Sequence, residues 1–395
     1  MNIIAIVPCG LETVACAEAE ELVGRKPSQG KGWISFEVAH IEDAWIYTYR
    51  AQSVLKVLIG GSQKVHDRNL EKALASLCGD IPWNELAPQA ASFAARGFKI
   101  GYEDTPSSEI AAMLGGLVKK ITSWTVNLGK PDIVVSAVVA FDSLLIGIDI
   151  GGEDLGIRPY RLFQAGQAIK APLAYGLVRM SGWKPQTALL DPFCQAGTVS
   201  IEAGLWASKM SPHRFAKERL LFYSSRLFDS RVVKEVIDAQ DQMRCAPKGS
   251  IIAMDASFPS ISASKKNAKL AGVENVIAFS KMDVEWLDVK HAGQSVDAVA
   301  TVPPTPTRML SVAKLQGMYR EFLHQSAYVL HKQGKVVILV KSLDLWKELI
   351  DREGFTIAGQ QVVYQGKEQW TIVKLQLGRR PITKHQSIIG KVLLS

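Results

Sequence analysis

Apolar and polar positions along the chain follow two different rhythms. In the first 60 or so residues, short apolar strands alternate with helically spaced segments. Ile3–Val7 reads as a strand, Leu11–Val23 as a helix with acids in its early turns, and Gly32–Val38 as an alternating strand. Ile41–Tyr49 is helical and Ser53–Ile59 is again a strand. The stretch 65–157 continues with a helix at Leu70–Cys78 and an alternating strand at Ser92–Ile100. Asp104-Thr105-Pro106 leads into a helix from Ser108 to about Trp124, with Ser107 or Ser108 as its cap. Strands Ile133–Ala140 and Leu144–Ile150 follow, joined by Phe141-Asp142-Ser143.

After residue 165 strands and helices alternate. The predicted strands are Ala188–Leu190, Ser250–Met254, Val276–Ser280, Asp297–Thr301, Gly334–Val340, Thr356–Val363 and Thr371–Leu377. Helices Thr198–Ser208, Ser260–Ala271, Leu315–His331 and Asp344–Glu353 lie between most of them. That is the pattern of a mainly parallel, doubly wound sheet. The short turn Tyr364–Glu368 forces the last two strands to be antiparallel.

Composition narrows the class. With 395 residues, 47% hydrophobic and 21% charged, the chain can build two or three packed domains. Its longest apolar runs fall short of the ~20 residues of a membrane span, its first residues lack the basic region of a signal peptide, and its cysteine usage fits a reducing cytoplasm, the location expected. Five cysteines form no CxxC pair and seven histidines are scattered, which argues against a disulfide framework and a metal site. Neither a GxSxG elbow nor a phosphate-binding P-loop is present. The net charge of +8 is uneven: residues 1–180 carry 17 Lys and Arg against 19 Asp and Glu, and residues 181–395 carry 29 against 19. A polyanionic partner fits this asymmetry, as does a merely basic soluble protein.

In an open α/β sheet, ligands bind beyond the carboxyl ends of the strands. Four such positions carry chemistry here. Asp191-Pro192-Phe193-Cys194, followed by Gly197-Thr198, links the first strand of this unit to a helix. Asp255 follows the second strand and Asp283 the third, each able to accept hydrogen bonds from a nucleoside. Thr301-Val302-Pro303-Pro304-Thr305 follows the fourth, and its two prolines stiffen the loop and present backbone carbonyls.

These residues resemble the motifs of class I S-adenosyl-L-methionine-dependent RNA guanine-N2 methyltransferases that carry a THUMP domain. The DPFC loop with Gly197-Thr198 is similar to the family's DP(F/M)CGSGT, and Ile201-Glu202-Ala203 to its IEA. Arg158-Pro159-Tyr160-Arg161 resembles its RxYR, and Ala171-Pro172-Leu173 opens the next helix. Residues Asp297 to Arg308 align without gaps on DxxxxNPPYGxR. The resemblance implies a Rossmann-like methyltransferase sheet with an antiparallel last strand, preceded by α+β ferredoxin-like and THUMP units. The implied division is 1–60 ferredoxin-like, 61–160 THUMP, 161–378 methyltransferase and 379–395 a C-terminal extension. It further implies that S-adenosyl-L-methionine lies over Asp191, Pro192, Phe193, Cys194, Gly197 and Thr198, with Asp255 on its ribose and Asp283 on its adenine. A guanine of structured RNA, most readily tRNA, would have its exocyclic amine held by the loop Val302, Pro303, Pro304 and Thr305.

The chain departs from that pattern at two working parts. Gln195 and Ala196 stand where the loop has glycine and serine, and Val302 and Thr305 replace the Asn and Tyr of NPPY. Valine offers no side-chain acceptor. An rRNA substrate, or a catalytically impaired RNA-binding relative, therefore stays open. For RNA contact the sequence offers Arg96 and Lys99 with Lys119 and Lys120, the pair Arg158 and Arg161, and Arg214 and Lys217 in the basic, aromatic-bearing insertion 208–248. The bland alternative for that insertion is two covering helices with their Phe residues in the core.

Overall fold

The computed structural model describes residues 1–378 except 66–68, 89, 102–104, 307–309 and 367. Arg308, Asp104 and the extension 379–395 lie outside the described residues. Two sheets organise the chain. The first has eight strands: β1 (Asn2–Ile6), β2 (Ser28–Gly30), β3 (Trp33–Glu37), β4 (Lys56–Lys64), β5 (Ser92–Ile100), β6 (Thr125–Val126), β7 (Ile133–Ala140) and β8 (Ser143–Asp149). They run in the order β2-β3-β1-β4-β8-β7-β5-β6. The boundary expected at 60/61 falls inside β4, which pairs with β1 at Lys56–Ile59 and with β8 at Leu58–Lys64. The two small units anticipated from the sequence thus share one sheet.

Alternation decides which side of this sheet is packed. Ile3, Ala5, Ile59, Val135 and Ile146 face the helices Glu12–Val23, Ile41–Arg50, Leu70–Asp80 and Ser107–Ile121 and join the largest apolar core. Residues of the opposite parity, Ile4, Leu58, Val138 and Leu145 among them, form a small second cluster. The sheet curls over that cluster: Lys31 lies 3.8 Å from the Phe141 ring centroid, bringing the β2–β3 turn to the β7–β8 turn. Within the curl Lys56 pairs with Asp149 at 2.8 Å, with both side chains nearly fully buried.

The second sheet consists of β9 (Leu189–Asp191), β10 (Ile251–Asp255), β11 (Ile277–Lys281), β12 (Val296–Thr301), β13 (Leu330–Val340), β14 (Phe355–Gln365) and β15 (Glu368–Leu377). Its order is β11-β10-β9-β12-β13-β15-β14. The first five strands are parallel, and β15 runs antiparallel to both β13 and β14. This is the Rossmann-like methyltransferase sheet, with order reversing at β9 and β12. An apolar core lies on each face.

The insertion 208–248 leaves the second sheet between β9 and β10 and crosses to the first. Its helix Ser230–Gln242 lies on helix Ile41–Arg50, burying Val233 and Ile237 in the core of the first sheet. Phe222 stacks on Trp45 with ring centroids 6.1 Å apart, and Phe228 meets the same indole edge-on at 5.1 Å. The covering-helix alternative is therefore the observed one, because three aromatic rings find more area against each other than against solvent.

Trp45→Ala should cost about 3–5 kcal/mol in urea unfolding. It should also render residues 220–245 sensitive to limited proteolysis, while the cuts expected elsewhere stay unchanged.

Candidate active site

The loop after β9 is built on a buried carboxylate. Asp191 is fully buried and accepts hydrogen bonds from Thr301 Oγ1 at 2.7 Å and Ser200 Oγ at 2.9 Å. One side chain thus joins the ends of β9 and β12 to the first turn of helix Thr198–Ala207. Burial pushes its carboxyl up to about 7, against the pull of those two hydroxyls, with Asp255 adding to the rise. Asp191 was expected at the cofactor; its carboxylate is instead turned into the protein, where it holds the loop in shape.

Gly197 enters that helix with φ of 86°. A Cβ here would lie 2.8 Å from the Ser264 side chain, so only glycine lets helix Phe258–Ala271 come this close. Cys194 is buried beside Ser264, with 3.9 Å between Sγ and Oγ. At the neighbouring strand end, Asp255 accepts from the backbone N–H of Gln195 at 3.0 Å and of Ser257 at 2.9 Å. Burial raises its pKa, and Asp283 contributes to the rise. Asp283 itself is exposed at the end of β11, where it precedes the short turn Val284–Trp286.

Gln195 is the residue that differs most from expectation. It adopts φ of 51°, in the left-handed region that costs a side-chain-bearing residue about 1 kcal/mol or more. Its Nε2 donates to the Val302 carbonyl at 2.7 Å, and its Oε1 accepts from the Gln167 N–H. Gly166, at φ of 62°, passes so close that a Cβ would overlap the Gln195 carboxamide. The strap 161–168, the β9 loop and the β12 loop are thus joined through one side chain. Between them remains a cavity of only about 10 Å³, lined by Gln167, Phe193, Cys194, Gln195, Thr198 and Val302.

In the loop after β12, Val302 and Pro303 are buried and Thr305 is half-buried. The Pro304 carbonyl accepts from Tyr319 Oη, and Thr305 Oγ1 lies 3.2 Å from Gln167 Oε1. Two of the carbonyls this loop was expected to present, those of Val302 and Pro304, are thereby engaged within the protein. The Pro303 carbonyl has no partner among the described residues.

The expected RNA contacts fare differently. Arg158 is buried and pairs with Glu202 through Nε at 2.9 Å and Nη2 at 3.1 Å, and Nη2 also donates to the Gln52 carbonyl at 2.7 Å. Gln52 Nε2 and Tyr160 Oη donate to the same carboxylate, at 2.7 and 2.8 Å. Arg158 therefore ties the first sheet to helix Thr198–Ala207 and is removed from the RNA-contact set. Arg161 is half-buried and donates to the Ile169 carbonyl. Arg214 pairs with Asp241 at 2.9 Å; Lys217 pairs with Asp241 at 2.7 Å and Asp238 at 3.2 Å, and Tyr49 Oη donates to Asp241. These cations fasten the insertion. Arg96 and Lys99 do not form one patch, since an odd separation on β5 puts them on opposite faces. Lys99 shares the side of Gly97, which abuts the first turn of helix Ser107–Ile121 at Ser107, Ile110 and Ala111, while Arg96 points to the other side; Lys119 and Lys120 are exposed in the last turn of that helix. Among the described residues no group of His, Cys, Asp and Glu could hold a metal, and no helix is long and apolar enough to cross a membrane.

The strand order, the antiparallel β15 and the glycine-led loop after β9 define a Rossmann-like methyltransferase. The chain belongs to the RMKL-like methyltransferase domain family (UPF0020), whose profile matches residues 158–370. It is 28% identical over 289 residues to a tRNA (guanine(6)-N2)-methyltransferase of Methanocaldococcus jannaschii, covering 70% of this chain and 74% of that one. It is 32% identical over 200 residues to the ribosomal RNA large subunit methyltransferase K/L of Buchnera aphidicola, covering 49% of this chain and 28% of that one. In three dimensions it resembles the structure of SMU.472 complexed with SAH, with a TM-score of 0.77 at 20% identity over 96% of this chain and 98% of that one.

Two outcomes follow from the buried polar groups. Arg158→Ala leaves Glu202 charged without its partner and should destabilise the protein by about 3–5 kcal/mol in denaturant unfolding. Asp191 binds its proton more tightly folded than unfolded, where its pKa is about 3.9. Its contribution is full below pH 4 and is lost as pH rises through 7. The melting-temperature advantage of the parent over Asp191→Asn should therefore shrink between pH 5 and pH 8.

Proposed function

We propose that this protein methylates the exocyclic N2 amine of a guanine in structured RNA, with tRNA as the substrate, using S-adenosyl-L-methionine. The carrying observation is that Asp255, Asp283 and the glycine-led N-terminus of helix Thr198–Ala207 stand at the carboxyl ends of three adjacent parallel strands, in a methyltransferase family member. The tRNA relative and the first sheet, joined rigidly to the catalytic unit, support the choice of substrate. Residues 1–160 would act as one RNA-holding unit.

The donor set suits the nucleoside half of the cofactor. Asp255 would accept from the ribose hydroxyls and Asp283 from the adenine amino group, the first with the lone pairs that Gln195 and Ser257 leave over. The methionine half does not fit beside the Gln195 carboxamide as it lies, because the space left there, about 10 Å³, holds at most one water. When bound, the cofactor supplies an electrophilic methyl group. The protein's part is positioning: the rigid Pro303-Pro304 segment fixes the Pro303 carbonyl, which would accept one hydrogen of the target amine and orient its lone pair. Gln195 must swing from the strap for this arrangement to assemble. Its engagement with Val302 favours a second reading, an RNA-binding relative whose chemistry is slow.

Incubating the protein with unmodified tRNA transcripts and a methyl-labelled cofactor, then digesting to nucleosides, tests the proposal. Label in N2-methylguanosine is expected; cofactor binding without any labelled guanosine overturns it in favour of the binding reading. Gln195→Gly removes both latch hydrogen bonds and the left-handed strain, so cofactor affinity by calorimetry should rise about tenfold. An unchanged affinity would show that the carboxamide is no obstacle.

A further inference from the structure

Ion pairs and burial occupy four of the eight cations that pointed to RNA, among them every one in the catalytic half, yet that half retains its positive excess. Helix Phe258–Ala271 carries a share of it in ordered form. Phe258, Lys265, Lys266 and Lys269 stand at i, i+7, i+8 and i+11, which places them within an arc of roughly 100° on one face. Phe258 is 67% exposed and the three lysines are exposed. None of the three makes an ion pair among the described residues. Residues 256–273 include no Asp or Glu, and neither do residues 155–190, which supply the strap beside this helix.

A second aromatic is fixed alongside. Phe163 of the strap is 40% exposed, and Lys266 Nζ lies 4.9 Å from its ring centroid. Its backbone is held at both polar groups by Asn267, which accepts from the N–H at 3.0 Å and donates to the carbonyl at 2.8 Å. Asn267 is fully buried and also donates to the Ala196 carbonyl at 3.0 Å, so the ring is tied directly to the loop of the candidate active site. At the far end of the helix Phe215, 64% exposed, lies against Gly272.

We propose that this aromatic–lysine stripe is the track along which a single-stranded segment of the RNA reaches the site, the lysines meeting phosphates and the rings stacking on bases. The proposal rests on the RNA-methyltransferase reading and adds the surface that reading lacks. A 14-residue helix is about 21 Å long, comparable with the smallest single-strand binding sites of about four nucleotides. Alternating rings and cations suit a strand with its bases turned out, since stacking tolerates any base and each neutralised phosphate releases counterions.

The test is fluorescence anisotropy of an end-labelled, unmodified tRNA transcript across a salt series. The variant K265E/K266E/K269E should bind at least tenfold more weakly, and its log–log salt slope should flatten by about two to three. Phe163→Ala should lose several-fold in affinity with the slope unchanged. An equal charge reversal elsewhere, K332E/K347E/R352E, should bind nearly as the parent does. If the triple reversal melts early, Lys266→Gln and Lys269→Gln carry the same expectation, each flattening the slope by nearly one. Parent-like affinity and slope in these variants, with RNA bound by the parent, overturn the track and leave the methyltransferase reading intact. A parent that binds no RNA overturns the reading beneath it.

Discussion

The buried contact between Arg158 and Glu202 is the constraint on which the remaining architecture depends. Two full charges withdrawn from water are tolerable only when nearly every lone pair and proton is matched. Here the matching comes from three separate pieces of chain: Gln52 from the segment that leads into β4, Leu155 and Tyr160 from the connector, and Glu202 from the helix behind the site loop. Glu18 extends the network by accepting from the N–H groups of Gln52 and Ser53. Burial of this kind penalises any sliding between the two sheets, because a shift of an ångström would strand a charge. The first sheet and the catalytic unit consequently behave as one body, and whatever binds to the former is held at a fixed distance from the loop after β9.

The site inherits this rigidity and adds one movable part. Asp191 locks the loop from beneath and Gly197 lets the neighbouring helix press against it, while Pro303 and Pro304 stiffen the facing loop. Gln195 spans the gap, its side chain held by one carbonyl and one N–H. Its carboxamide is kept in place by two hydrogen bonds of about 1 kcal/mol each, and rotating it away leaves the left-handed backbone as it is. A latch this weak makes the closed form a preference.

Much of this was readable in advance. Val336–Val340 and Ile133–Ala140 announce buried strands by their continuous apolar runs, and the short Tyr364–Glu368 turn requires the antiparallel end of the sheet. The placing of Asp255 and Asp283 at the carboxyl ends of two adjacent strands was legible from position alone. The engagement of Arg158, Arg161, Arg214 and Lys217 within the protein was not legible, for a physical reason. Arg214 and Tyr49 meet the same Asp241, a partner 192 residues from Tyr49, and no local pattern encodes such a pairing. The separation of Arg96 from Lys99 was different: an odd interval on a strand already puts two side chains on opposite faces. The stripe on helix Phe258–Ala271 is written in the sequence too, since Phe258, Lys265, Lys266 and Lys269 share one helical face, but the insertion 208–248 is the more basic stretch and masks it.

That insertion carries one more consequence, for synthesis. Helix Ile41–Arg50 leaves the ribosome long before its cover does, for the helix that packs on it ends at Gln242. At about 5–20 residues per second, the Trp45 face waits roughly 10–40 s for Phe222, Phe228 and Ile237 to be made. During that interval the first sheet stands with an aromatic surface bare. The nascent chain therefore needs shelter at this helix, and its folding is completed from the catalytic half backwards.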